Sequence, residues 1–153
     1  MKERISMLDE KLVELLNDQV NKEFYSAYLY LSMANYYNEE GLSGFGNWFT
    51  IQAQEERDHA MLFLEYLQNN GAHVELKTVE APKKKFKEFK DPLDESLKHE
   101  RYVTASIHNI YAAASKVKDF RTMQFLDWFV KEQGEEEKTA EDLIKKLELF
   151  EGE

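Results

Sequence analysis

Four stretches of the chain place apolar side chains three and four positions apart, the repeat that puts them on one face of an α-helix. In the first, Leu16, Val20, Glu23, Ala27, Tyr30 and Ala34 follow one another along a face, and the spacing predicts a helix over 6–38. It is stopped by Glu39, Glu40 and Gly41, the glycine being suited to a left-handed turn. A second stripe, Phe45, Phe49, Gln52, Glu56, His59, Phe63 and Tyr66, predicts a helix over 43–70 closed by Asn69, Asn70 and Gly71. A third, Leu93, Leu97, Glu100, Thr104, Ile107, Tyr111 and Ala114, predicts 92–118, with Pro92 in the first turn where its missing N–H is harmless. The fourth, Leu126, Phe129, Gln133, Glu136, Ala140, Leu143 and Leu147, predicts 120–150.

No stripe survives over 72–91, which contains Pro82 and the run Lys83, Lys84, Lys85. So long a connection needs a reason. If the second and third helices run parallel, the chain must travel back along roughly 40 Å of helix. About 20 extended residues reach ~66 Å, so the span is ample. The expectation is an all-α fold forming a single domain over 1–153, a four-helix bundle of two antiparallel hairpins joined by one long crossover.

Composition agrees and narrows the chemistry. Only 6 Gly and 2 Pro in 153 residues leave few turns. A net charge of −10 would repel nucleic acid and anionic membrane, so cations are the expected ligands. Cys is absent, which excludes disulfides, thiolate metal sites and thiol catalysis. The opening residues MKERISMLDEK lack the apolar core of a secretion signal and no run is long enough to span a membrane; a soluble, cytoplasmic protein is expected.

The polar residues that interrupt the stripes carry the chemistry: Glu23, Glu56, His59, Glu100, Gln133 and Glu136. Periodicity assigns each to the core, where an unpaired carboxylate is costly. No Lys or Arg shares these stripes, whereas two divalent cations would neutralise four carboxylates. Carboxylate oxygen with one imidazole suits Fe(II). The Glu56-x-x-His59 pair lies a turn apart on one face, so both can hold one ion while Glu56 bridges to a second. Glu23 and Glu56 are 33 positions apart, as are Glu100 and Gln133, so the two hairpins share a register. With one imidazole for two ions, the second site is expected to be weaker and more labile. Two rivals stay open on these residues, a di-iron oxygenase or peroxidase that retains its metal, and a metal-free helical interaction protein.

The segments LNDQVNKEFYSAYLY, QAQEERDHA, LKHE and FLDWFVKEQGEEEK, in this order and spacing, resemble prokaryotic non-haem ferritins over nearly the whole chain. The long crossover is the connection for which ferritin-like bundles are known. The resemblance implies an iron-storage subunit with ferroxidase activity, taking Fe(II) with O2 or H2O2 as oxidant and depositing ferric mineral inside a homo-oligomeric, 24-subunit shell. It implies Glu23, Glu56 and His59 on the first iron, Glu56, Glu100 and Glu136 on the second with Gln133 beside it, and Glu55, Glu132 and Glu135 joining Glu136 at an accessory third. Tyr30 resembles the tyrosine that supplies an electron at the di-iron centre, with Trp128 read chiefly as packing. Haem is not expected, because Arg57 stands where bacterioferritins carry a ligating Met. The family's usual fifth helix, which lines the fourfold pores, would lie beyond Glu153. His73, His99 and His108 fall off the stripes or in the linker and are expected to be surface groups, and the Lys-rich linker a solvated strap.

Overall fold

The structure is a computed structural model describing residues 6–152, and it contains four helices: α1 Glu10–Glu39, α2 Ser43–Asn69, α3 Lys90–Lys116 and α4 Phe120–Glu151. α1 begins four residues later than the periodicity predicts because Asp9 caps it, its side chain accepting from the Lys11 N–H at 3.0 Å. α3 begins two residues earlier. The Asp91 carboxylate accepts the Lys87 and Glu88 N–H groups and folds the end of the crossover into the helix, leaving Pro92 in the first turn. Asp119 caps α4 through the Thr122 N–H and hydroxyl.

Short turns make α1 and α2 one antiparallel pair and α3 and α4 another. α1 packs directly on α3, and contacts Gln19 to Ser106 and Tyr30 to Glu100 show that these two also run antiparallel. α2 and α4 stand further apart and meet through large rings: Tyr66 stacks on Phe125 at 4.0 Å and Phe63 meets Phe129 at 4.4 Å. α2 and α3 are therefore parallel. The crossover returns along α1, where Asn17 donates to the His73 carbonyl and accepts from the Glu75 N–H, and Asn21 donates to the Thr78 carbonyl. These bonds satisfy backbone that has no helical partners of its own.

This placement gives α1 a second buried stripe, Leu12, Gln19, Ser26 and Met33, of which Gln19 and Ser26 bond α3 at Ser106 and His99. The apolar core is split. One cluster, including Leu16, Val20, Phe63, Ile107, Leu126 and Phe129, fills one end of the bundle, and another, including Tyr30, Met33, Tyr37, Phe49, Leu93 and Leu147, fills the other. Between them lies a polar layer.

Candidate metal centre

That layer is built from the residues that interrupt the stripes. Glu23 on α1, Glu56 and His59 on α2, Glu100 on α3 and Gln133 on α4 are all buried, and Glu136 on α4 is half-buried. Two overlapping groups of ligand atoms form, each with its atoms within 4.8 Å of one another: Glu23, Glu56 and His59, and Glu56, Glu100 and Glu136. Glu56 belongs to both. His59 Nδ1 is 3.3 Å from Glu56 Oε2 and 3.9 Å from Glu23 Oε2. His59 Nδ1 and Glu23 Oε2 are also fully buried without a hydrogen-bond partner, both facing the same point. Buried polar atoms seldom go unpaired, and two that converge beside a third ligand fit a cation between them.

Amides hold the carboxylates. Gln19 donates to Glu23 at 2.9 Å and is itself held by the Ser106 hydroxyl at 2.6 Å. Gln52 donates to Glu136 at 2.6 Å and to Glu56 at 3.3 Å, tying α2 to α4. Gln133 donates to Glu100 at 3.1 Å, and Tyr30 donates its hydroxyl to the other Glu100 oxygen. Gln19 and Gln52 have no role in the sequence reading. Their signal was present, since each lies four residues before a core glutamate on its own helix, within hydrogen-bonding reach.

Burial and mutual repulsion keep the carboxyls protonated above their usual range. Burial pushes Glu23 well up, reinforced by the charge of Glu56, and burial followed by the charge of Glu100 does the same to Glu56. Glu136 rises to about 8 through burial and then Glu100. Glu100 rises only to about 7, because the Tyr30 and Gln133 hydrogen bonds offset part of its burial. Among the described residues no Lys or Arg lies within 4.0 Å of these core carboxylates. A cation arriving here would replace protons.

The remaining candidates lie at different depths. Glu132 is half-buried and close enough to Glu136 to help raise its pKa, while Glu55 and Glu135 are exposed. Trp128 is 48% exposed and meets the His59 ring edge-on at 5.5 Å, so it walls the site and also reaches the surface. His73 and His108 are exposed. His99 corrects the sequence reading: it is buried, its Nε2 is 2.7 Å from Ser26 Oγ, and burial lowers it to about 4. It lies off the α3 stripe because it faces α1 and the strap, a direction set by packing outside its own helix.

The Ferritin family, a ferritin-like domain, matches residues 13–150. A bacterial non-heme ferritin of Campylobacter jejuni is 40% identical over 144 residues, 94% of this chain and 86% of that protein. One from Staphylococcus aureus is 41% identical over 141 residues, 92% of this chain and 85% of its own length. Among solved structures, an open pore ferritin from the archaeon Archaeoglobus fulgidus superposes with a TM-score of 0.91 at 45% identity, covering 93% of this chain and 87% of that one. Chlorobium tepidum ferritin gives 0.92 at 32% identity, covering 95% and 88%.

Proposed function

This chain belongs to the ferritin family, and from that membership and its buried carboxylate cluster we propose that it is an iron-storage subunit that oxidises Fe(II) inside the bundle. The observation that carries the reading is the convergence of the unpaired Glu23 Oε2 and His59 Nδ1 on a group that shares Glu56 with a second. Fe(II) is the substrate. Glu23, Glu56 and His59 hold one ion, and Glu56, Glu100 and Glu136 the other, with Gln133 fixing Glu100 from the side.

The residues do three things. The carboxyls surrender protons as Fe(II) binds, so uptake is coupled to proton release and favoured by rising pH. The amides of Gln19, Gln52 and Gln133 keep the carboxylate oxygens aimed inward, which holds the two ions next to one another. Adjacent ions can each give one electron to a shared oxidant, O2 or H2O2, and Tyr30, bonded to Glu100, stands where a further electron can be supplied. The second group has no imidazole, and its weaker hold suits a product that leaves. Glu55, Glu132 and Glu135, joined by Glu136, would form an accessory third site, with Glu55 and Glu135 exposed at the surface. Oligomerisation of this chain around a common interior, in a shell of 24 copies, gives the ferric product a place to accumulate. Haem has no part in this reading.

Anaerobic calorimetric titration tests it: two tightly bound Fe(II) per chain are expected at the two groups that share Glu56, with proton release, followed by rapid oxidation when O2 or H2O2 is admitted. Uptake of fewer than one ion per chain rules the reading out. Aerobic loading followed by size-exclusion chromatography and electron microscopy tests storage, the expected products being hollow particles with dense centres.

A further inference from the structure

On the other side of α1 from the carboxylates, the crossover arches over a partly open cavity of about 630 Å³. Its floor is His99, 7% exposed, with Nε2 against Ser26; among the described residues Nδ1 has no hydrogen-bond partner. Tyr25 and Tyr102 flank it, their ring centroids 5.9 and 6.0 Å from the imidazole. The rim is cationic, with Lys22 from α1 and Lys83 and Lys84 from the strap, and among the described residues Glu80 is the only carboxylate that lines it.

Of these lysines only Lys84 has a carboxylate partner among the described residues. Among the described residues neither Lys22 nor Lys83 has a carboxylate within 4.0 Å; Lys22 donates to Ser106 at 3.0 Å and lies 5.5 Å from the centre of the Tyr102 ring. Lys84 is 3.4 Å from Glu95, with nearly half of its side chain still exposed. In a chain of net charge −10, cations gathered over an aromatic floor form a local anion trap. The volume falls in the range of small-molecule sites, which combine apolar walls with a few placed polar groups.

We propose that this cavity binds a small aromatic anion, its ring against the Tyr25, His99 and Tyr102 wall and its phosphate or carboxylate at Lys22, Lys83 and Lys84. The buried imidazole presents a nitrogen to the ligand, and the lysines close over the charge from both the helix and the strap. An aliphatic anion would leave the aromatic wall unused. A neutral aromatic would leave the lysines hydrated and unpaired.

The test uses the iron-free full chain, titrated calorimetrically with 1-naphthyl phosphate, 1-naphthol and inorganic phosphate. The naphthyl ester is expected to bind once per chain, at least tenfold tighter than either control, and to weaken as salt rises. A double substitution, Lys83→Gln with Lys84→Gln, should weaken it at least tenfold, and so, independently, should Tyr102→Leu. All three side chains are at least partly exposed, so the helical circular dichroism should not change. Equal affinity for ester and 1-naphthol, or for ester and inorganic phosphate, would overturn the proposal, as would unchanged affinity in the folded variants.

Discussion

A carboxylate in the middle of a helical bundle is tolerable for a reason that the residues around it reveal. Glu23 has one oxygen bonded to Gln19 and the other bonded to nothing. Replacing it with Leu removes a group that is costly without a cation, so iron-free Glu23→Leu should melt at or above the wild-type temperature near pH 8 while its initial rate of Fe(II) oxidation falls at least ~10-fold, about 1.4 kcal/mol. Marked destabilisation of the iron-free variant would mean that Glu23 is paired in the apo protein. Gln52 makes the complementary case. Its amide holds Glu56 and Glu136 together, and hydrogen bonds to charged groups contribute about 1.5–3 kcal/mol. Gln52→Leu should weaken binding of the second Fe(II) ~10-fold or more and of the first by less, because Glu136 loses its 2.6 Å bond and Glu56, shared by both ions, loses only a longer one of 3.3 Å; anaerobic titration reads the two steps separately.

The helices themselves end in a shared way. After α1, α2 and α3 the chain turns left-handed at Gly41, Gly71 and Lys118, with φ of 79°, 71° and 56°. At each, the next residue's N–H reaches back to the helix: Leu42 to the Tyr37 carbonyl, Ala72 to Leu67 and Asp119 to Ala114, at 2.8, 2.9 and 2.9 Å. Glycine adopts this conformation freely, whereas a side chain is strained there by roughly 1–2 kcal/mol. Lys118→Gly should therefore stabilise the iron-free protein by about 0.5–1 kcal/mol, after the entropy of the added glycine is subtracted. Gly41→Ala should destabilise it by about 1 kcal/mol, both measured by urea unfolding of the iron-free protein. Phe63, buried where α2 meets α4 through rings, should cost about 3–5 kcal/mol when changed to Ala.

At the scale of the bundle, the carboxylate layer makes stability depend on pH. Glu100 at about 7 and Glu136 at about 8 bind their protons more tightly than in the unfolded chain, where the ordinary value is 4.5. Their contribution is therefore complete below that value and is lost as pH rises through 7 and 8. The melting temperature of the iron-free protein should fall between pH 5 and pH 8, and Zn(II), which cannot be oxidised, should raise it most at the upper end. A metal-free melting temperature that does not move over this interval would contradict the protonation argument.

The four helices, the crossover and the interrupting acids could be read from the sequence because each is a local periodicity: 3.6 residues per turn assigns a face, and a polar residue on an apolar face is visible without knowing its neighbours. The matched spacing of Glu23 to Glu56 and Glu100 to Gln133 belongs to the same kind of information, since each hairpin's register follows from its turn length. Family resemblance added the metal's identity. What periodicity along one helix cannot supply is which other helix a side chain meets. α1 buries two stripes because α3 covers its second face, so Gln19 becomes a support for Glu23 and Ser26 a partner for His99. His99, assigned to the surface by its own helix, is buried by another. The wide seam between α2 and α4, the double duty of Gln52 and the cavity under the crossover likewise come from distances between separate elements, which only the packed bundle sets.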